Sequence, residues 1–469
     1  MSFDLFGQIG IKDSQYSLMV PTGTLLDLIT GTFVPGENGS VICDGGIAPT
    51  NGIHGPPGSF KSTVSDGFVV NALERFPGSQ WINYDTEQSK RDKYRLLDMS
   101  SLHRENPQKR KTHLEDLDKR IRIVNLSDYA YLEDFMEIVD KVYQEKMKRL
   151  KDYTVETPIS DKYSDNNRRM ILPTFITIDS YSKAVIKTVD AIISKSGESS
   201  SDANMTAAKE ALIKNRFLRK LPKMAERAGI YFVMTAQNAA KMAMDGGPPK
   251  KVTQYMSQGD TIKGVGSDFL FLIQSDFDMR TPRLCQDSNK NCDYPYPTGL
   301  TSPSEMSEVT FTVNRCKNHG AGLKFTPVVS QTNGYEPNIT NYNYLRVNGY
   351  FGLGTDKTRP RPALLPDQFF MRTTAYEKLT DPKMARAVEI LAQLYLVQAS
   401  WTIMDKEVPF DITPQKLHEF LQKSGYAQDD ILASRGWWTY KGTEWDKVPY
   451  LSLYDILALA CGKYKPKWK

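Results

Sequence analysis

The 469-residue chain is poor in the features that mark membrane, secreted and disulfide-bonded proteins. It has no run of about 18 apolar residues, so we expect no membrane span and no membrane partner. The opening MSFDLFGQIGIKDSQYS lacks a basic stretch followed by an apolar one, so we expect no secretory signal. Five scattered cysteines, an odd number, argue against a disulfide framework and predict a reducing, cytoplasmic setting.

The chain also has little excess charge of either sign. It contains 60 basic and 55 acidic residues, which give a net charge of +5. This balance permits a nucleic acid as partner without requiring one. The length allows one large core domain and a smaller one.

Short apolar runs alternate with longer helical patterns through most of the chain. FITID (Phe175 to Asp179), IYFVMTA (Ile230 to Ala236) and DFLFLI (Asp268 to Ile273) are typical of buried parallel strands. These runs predict an α/β fold with a mostly parallel central sheet. Two polar stretches, His103 to Arg120 and Lys151 to Arg169, are predicted as added loops.

Composition also predicts the division of the chain into parts. A stretch rich in proline and glycine, GLGTDKTRPRPALLPDQ, indicates a linker, and helical patterns follow it. We predict an N-terminal arm at 1–20 that either docks on another subunit or is a frayed terminus. We further predict a core at 21–345 with insertions near 34–46, 100–120 and 150–170, a linker at 346–375, and a small, mainly helical C-terminal domain at 376–469.

The stretch GPPGSFKST has the composition of a phosphate-binding loop, although Phe60 stands where the usual pattern G-x-x-x-x-G-K-[ST] has a second glycine. Glycines allow the backbone to approach phosphates, a lysine supplies a point charge, and a hydroxyl can ligate Mg²⁺. A Gly/Pro turn with an exposed lysine is the alternative. The predicted nucleotide-binding residues are Gly55, Pro56, Pro57, Gly58, Ser59, Phe60, Lys61, Ser62 and Thr63.

Polar residues stand at the ends of three further predicted strands. WINYDTEQ contains Glu87, FITIDS contains Asp179, and MTAQN contains Gln237. The carboxyl ends of neighbouring parallel strands meet at the ligand crevice of an α/β sheet. Each of these residues alone is more often a solvated loop residue, but the four motifs in this order indicate nucleotide hydrolysis.

These motifs resemble those of the RecA-type ATPases, and among them the strand-exchange recombinases of T-even-like phages, which also carry an SFKS loop. PTGTLLDLITG, YDTEQSKRDKY and VNRCKNHGAGLKF add to the similarity, which covers roughly Pro21 to Asn338. The resemblance implies a RecA-like P-loop ATPase core that uses ATP and Mg²⁺. It implies that Glu87 activates water, Tyr94 stacks on adenine, Ser62 and Asp179 hold Mg²⁺, and Gln237 senses the γ-phosphate. Arg315 and Lys317 would reach the ATP of a neighbouring subunit.

The resemblance also implies a DNA-binding loop after the strand that ends in Gln237. The basic, glycine-bearing stretch Ala239 to Gly264 has lysines for phosphates, and methionines and a tyrosine for bases. An ordinary surface loop is the alternative. The predicted DNA-binding residues are Lys241, Met242, Met244, Lys250, Lys251 and Tyr255.

The function predicted on this basis is an ATP-dependent recombinase that binds single-stranded DNA, forms a helical filament and promotes strand exchange in phage recombination and repair. It would act in the host cytoplasm as a DNA-dependent ATPase. One alternative is a hexameric ring helicase of the same core fold. Another is a recombination mediator that binds ATP without turnover.

Overall fold

The computed structural model describes residues 17–90, 93–100, 110–124, 126–161, 164, 166–196, 200–240, 253–256, 260–262, 265, 269–316, 320–350, 352–353, 359–369, 371–400 and 408–464. The protein has a mixed α/β architecture with one large, mostly parallel sheet and many helices. Of the predicted N-terminal arm, only residues 17–20 fall within these ranges.

The α-helices are numbered here in chain order. They are α1 Leu25–Thr30, α2 Lys61–Arg75, α3 Tyr94–Asp98, α4 Arg110–Arg120, α5 Leu132–Lys148, α6 Leu150–Tyr153, α7 Lys187–Ser196, α8 Ser200–Ala228, α9 Phe269–Leu272, α10 Pro337–Asn348, α11 Ala375–Lys378, α12 Pro382–Ser400, α13 Pro414–Lys423, α14 Gln428–Leu432 and α15 Leu453–Ala460. Within the described ranges, no helix is both long enough and apolar enough to span a bilayer.

The strands are numbered in the same way. They are β1 Thr32–Pro35, β2 Val41–Asp44, β3 Thr50–Gly55, β4 Gln80–Asp85, β5 Ile121–Ile123, β6 Thr154–Ser160, β7 Asn167–Ile171, β8 Thr174–Asp179, β9 Ile230–Ala240, β10 Asp260–Ile262, β11 Ser275–Met279, β12 Arg283–Leu284, β13 Met306–Glu308, β14 Phe311–Cys316, β15 Lys324–Phe325, β16 Val328–Ser330, β17 Gly334–Tyr335, β18 Gly352–Leu353 and β19 Arg361–Pro362.

The large sheet has the strand order β15-β14-β11-β3-β9-β8-β4-β5, with β10 paired to β9. All pairs from β11 to β5 along this path are parallel, whereas β14, β15 and β10 join antiparallel. Strands β3 and β8 are buried along their whole length, as expected when helices cover both faces of a parallel sheet. The carboxyl ends of β3, β9, β8 and β4 therefore lie side by side at one edge.

The C-terminal elements pack against the same hydrophobic cluster as the core. Trp438 is completely buried and meets Phe76 edge to face, with ring centroids 5.4 Å apart. The Thr439 hydroxyl donates to the carbonyl of Arg75 at 2.7 Å, which fixes this segment to the end of α2. The tryptophan-rich segment thus contributes to the packing around the core helix, and the domain boundaries given above stay a prediction.

Two sequence predictions about local structure are wrong. DFLFLI was predicted as a strand, but residues 269–272 form helix α9 and the strand beside β3 is Ser275–Met279. A short apolar run does not distinguish a buried strand from a buried helix. The polar stretches predicted as loops contain the helix Arg110–Arg120 and the paired strands β6 and β7.

Candidate active site

The loop of residues 56–60 joins the end of β3 to the start of α2, so strand, loop and helix follow in the order that a phosphate-binding loop requires. Gly58 has φ +74°, and a Cβ there would meet open space. Phe60 takes a left-handed conformation at the helix N-cap, and its side chain makes no capping hydrogen bond. The first N–H groups of α2 are therefore not satisfied by that side chain, which is the usual basis of anion binding at helix starts.

Lys61 is largely buried and lies against the loop that precedes it. Its Nζ donates to the Pro56 carbonyl at 2.7 Å and to Ser59 Oγ at 3.3 Å. Burial lowers the pKa of Lys61, while the charges of Asp179 and Glu87 oppose that shift. The ammonium group is thus held over the loop, within the electrostatic influence of the acids at neighbouring strand ends.

Glu87 and Gln237 come together at this edge of the sheet. Gln237 Nε2 lies 3.5 Å from Glu87 Oε1, and the backbone N–H of Gln237 donates to Ser182 Oγ at 3.3 Å. Lys183, three residues beyond Ser180, places its Nζ 3.2 Å from Glu87 Oε1. The sequence analysis missed Lys183, although its position directly after a strand that ends in an acid was the available signal.

Asp179 is buried at the end of β8 and accepts hydrogen bonds on both oxygens. Thr235 Oγ1 donates to Oδ1 at 2.6 Å, and Lys90 Nζ donates to Oδ2 at 3.1 Å. Burial alone raises the pKa of Asp179, but the Lys90 charge and hydrogen bonds from Thr235, Ser62 and Lys90 bring it below its ordinary value. The structure therefore places the Ser62 hydroxyl beside an ionised Asp179 carboxylate.

Lys90 is a second residue that the sequence analysis missed. Its buried Nζ lies 2.9 Å from Asp66 Oδ2 as well as 3.1 Å from Asp179 Oδ2, so one ammonium bridges two carboxylates. Burial raises the pKa of Asp66 to about 6, although the Lys90 charge lowers it. Asp66 lies on α2 just before the apolar residues Phe68, Val69 and Val70, but nothing in that stretch of sequence identifies its partner.

We expect Lys90→Met to lower the free energy of unfolding by about 3–5 kcal/mol, because two buried carboxylates lose their common cation. Adding Asp66→Asn should recover more than half of that loss, since only one carboxylate then remains. Urea denaturation measures both effects. Lys187→Met is the control, because the Lys187–Asp134 contact of 3.5 Å is solvent-exposed and worth at most about 1 kcal/mol. A Lys90→Met variant as stable as the Lys187→Met control would contradict this role.

His54 forms a second buried polar network directly before the loop. Its Nε2 lies 2.9 Å from Asp276 Oδ2 and its Nδ1 lies 2.8 Å from Asn238 Oδ1. Burial alone lowers the pKa of His54, but Asp276 and Asp278 raise it to about 10, so the ring is an imidazolium at neutral pH. This network ties β3 to β9 and β11 and holds the loop's starting point in place.

Tyr94 lies at the first residue of α3 and is 74% exposed. It lines a cavity of about 750 Å³ together with Leu97, Leu114 and Asp118. No residue of the loop 56–60 is among the described residues that line this cavity. The role of Tyr94 in contacting adenine remains a prediction.

The remaining predicted residues are placed as follows. Arg315 lies on β14, and its Nη1 donates to the Leu270 carbonyl of the same chain. The Tyr255 ring lies against the backbone of Gly322, where a Cβ would meet the ring. Lys317, Lys241, Met242, Met244, Lys250 and Lys251 lie outside the described residues.

Comparison with known proteins finds likeness to solved structures. No protein-family model matches the chain, and no curated protein matches it. The chain is similar to a solved structure titled "Crystal structure of the RadB recombinase", with 14% identity and a TM-score of 0.33, over 68% of this chain and 99% of that one.

The residues present fit a nucleotide and a divalent cation on chemical grounds. The open backbone at Gly58, the uncapped start of α2 and the Lys61 ammonium are groups that bind phosphate oxygens. The Ser62 hydroxyl and the Asp179 carboxylate, which share a hydrogen bond, are oxygen ligands of the kind that Mg²⁺ takes directly or through water.

Proposed function

We propose that this protein is an ATP-dependent recombinase that hydrolyses ATP in response to single-stranded DNA. The observation that supports the hydrolytic part is the meeting of four neighbouring strand ends. They bring Lys61, Gln237, Asp179 and Glu87 to one edge of the sheet. An ammonium, an amide and two carboxylates in this arrangement suit phosphoryl transfer, which depends mainly on positioning and electrostatic stabilisation.

Each side chain has a separate part in the proposed reaction. Glu87, held by Gln237 and Lys183, orients and polarises the attacking water and accepts its proton. Lys61 and the first N–H groups of α2 bind the β- and γ-phosphate oxygens and stabilise the charge that develops on them. Ser62 and Asp179 hold Mg²⁺, which when bound neutralises phosphate charge and helps to align the phosphates.

The action on DNA and the assembly rest on the motif resemblance. Tyr255 and the stretch 239–264 would contact single-stranded DNA, and ATP would lie between neighbouring subunits of a filament. Arg315 would then act on the neighbour's ATP. Because Arg315 is bonded to the Leu270 carbonyl within the chain, that action requires the side chain to exchange this acceptor for a phosphate.

We expect Glu87→Gln to bind ATP but to slow hydrolysis by a factor on the order of 10² or more, because an amide cannot accept the water's proton. Phosphate release with and without single-stranded DNA measures the rate, and equilibrium binding of a fluorescent ATP analogue measures affinity. Glu145→Gln, an exposed carboxylate on α5, is the matched control and should leave both values unchanged. Unchanged hydrolysis in Glu87→Gln would remove this residue from the role of base.

A further inference from the structure

A second cavity, of about 560 Å³, lies where the C-terminal part of the chain meets the end of α2. Arg75 at the end of α2, the first turns of α12 and residues between 432 and 448 form most of its wall. The volume falls in the range of small-molecule pockets, roughly 300–1,000 Å³. None of the residues assigned above to the active site lines it. It is therefore a separate candidate site.

The cavity wall carries more positive than negative charge. Its acidic side chains are Asp381 and Glu389, and its basic ones are Arg75, Lys383, Arg386 and Arg435. Most of the basic groups have carboxylate partners. Lys383 Nζ lies 2.9 Å from Asp429, Arg386 Nη1 lies 2.9 Å from Glu389, and Arg75 lies 3.6 Å from Glu74.

Arg435 differs from the other three basic groups. Its Nε donates to the Val448 carbonyl at 3.0 Å and its Nη1 to the Trp437 carbonyl. In the described part of the chain, no carboxylate lies within 4.0 Å of its guanidinium. Burial lowers the pKa of Arg435 to about 10. The charge of Asp446 opposes this shift from beyond contact distance. A desolvated charge with no carboxylate in contact is costly, so an anion at this position would stabilise it.

Two guanidinium groups share one tryptophan in this wall. The Cζ atoms of Arg75 and Arg435 lie 5.0 Å and 5.1 Å from the Trp437 ring centroid. Among described residues, neither Nη2 atom of this pair has a hydrogen-bond acceptor. The indole attracts both cations, and an anion bound beside the ring would offset their positive charge.

The unpaired buried atoms of the wall are all hydrogen-bond donors. Among the described residues, Arg75 Nε, the Nε and Nη1 atoms of Arg386, and Trp445 Nε1 are buried without a hydrogen-bond acceptor. The Trp445 ring meets Trp437 edge to face at 5.0 Å, which adds an apolar surface beside these donors. A ligand that supplies many acceptor oxygens next to a flat or apolar portion would satisfy both features of the wall.

We propose that this cavity binds a small phosphate-bearing ligand, whose oxygens accept hydrogen bonds from Arg75 and Arg435 beside Trp437. Arginine forks match phosphate oxygens in pairs, and the cavity volume suits a molecule the size of a mononucleotide. The inference is independent of the proposed function, because it uses no residue of the ATP site.

Isothermal titration calorimetry on the full-length Lys61→Ala protein tests this proposal, because that variant removes phosphate binding at the loop. Pyrophosphate and AMP are titrated separately at physiological ionic strength. We expect saturable binding of at least one of them, and tighter binding of AMP if the tryptophans contact the base. Adding Arg435→Gln should weaken binding about tenfold or more, as expected for loss of a charge-assisted hydrogen bond.

Arg149→Gln, which removes an exposed arginine paired with Asp152, is the matched control and should bind as tightly as its parent. Circular dichroism verifies folding. If Arg435→Gln does not fold, Lys383→Gln at the half-exposed rim of the cavity replaces it and should still weaken binding measurably. The absence of binding by both ligands, or equal affinity with and without Arg435, would overturn the proposal. The proposal would also be overturned if Arg435→Gln weakened binding of a single-stranded oligonucleotide but not of pyrophosphate or AMP. That result would assign this surface to nucleic acid.

Discussion

We expect Lys61→Ala to abolish ATP hydrolysis, with a loss on the order of 10³ or more, while the chain remains folded. The Lys61 ammonium is the charged group that the loop itself supplies for the β- and γ-phosphate oxygens. Its hydrogen bonds within the described structure go to the Pro56 carbonyl and Ser59 Oγ, both neutral acceptors. Removing it therefore leaves no buried carboxylate without an ion-pair partner, so the loss should be functional and not structural.

Phosphate release in the presence of single-stranded DNA measures this effect, and thermal unfolding checks that the variant is folded. Lys220→Ala is the control, because Lys220 is a partly exposed lysine on α8 that pairs with Asp140 at 3.2 Å. It should hydrolyse ATP at the wild-type rate. Wild-type turnover in Lys61→Ala would show that the loop of residues 56–60 is an ordinary turn.

We expect Arg315→Ala to lose DNA-stimulated hydrolysis by a factor on the order of 10³, since an arginine supplied by a neighbour stabilises the transferring phosphoryl group by about that amount. The variant should still bind nucleotide, because Lys61, Ser62 and Asp179 remain. Mixing Arg315→Ala with Glu87→Gln should restore part of the activity. At one kind of mixed interface, one subunit supplies Glu87 and the other supplies Arg315.

The mixture separates this mechanism from a structural role of Arg315. Arg315 donates to the Leu270 carbonyl in the same chain, so its removal could also disturb the packing of α9 against β14. A structural defect would not be repaired by a partner that carries Glu87→Gln. If the mixture stays inactive while both proteins assemble on the same DNA, Arg315 acts within its own chain and the shared-site mechanism fails.

The sequence predicted the strands that are apolar along their length. β8 and β9 appear as FITID and IYFVMTA, and the structure has strands at Thr174–Asp179 and Ile230–Ala240. β11 was missed because its sequence is SDFDM. Asp276 and Asp278 are fully buried there against His54, so the strand carries charge where a buried strand is expected to be apolar. The apolar run just before it was mistaken for the strand.

Part of the candidate site could be predicted, because several of its residues stand at the ends of apolar strands. Glu87, Asp179 and Gln237 follow strands, and strand ends are visible in a sequence. Lys90 belongs to the same site only because the chain after β4 returns to Asp66 on α2 and Asp179 on β8. No spacing along the chain encodes that meeting. The meeting of Arg435 with Arg75 at Trp437 could not be predicted either, since Arg75 comes from a distant part of the chain.

Electron microscopy of negatively stained protein, incubated with single-stranded DNA and a slowly hydrolysed ATP analogue, tests the central proposal most directly. We expect helical filaments that require both the DNA and the nucleotide, and we expect Lys61→Ala to form none under the same conditions. Closed rings instead of filaments would contradict the recombinase and favour a helicase of related core fold. Filaments that form equally well without nucleotide, or with Lys61→Ala, would contradict the proposal that ATP at this loop controls assembly.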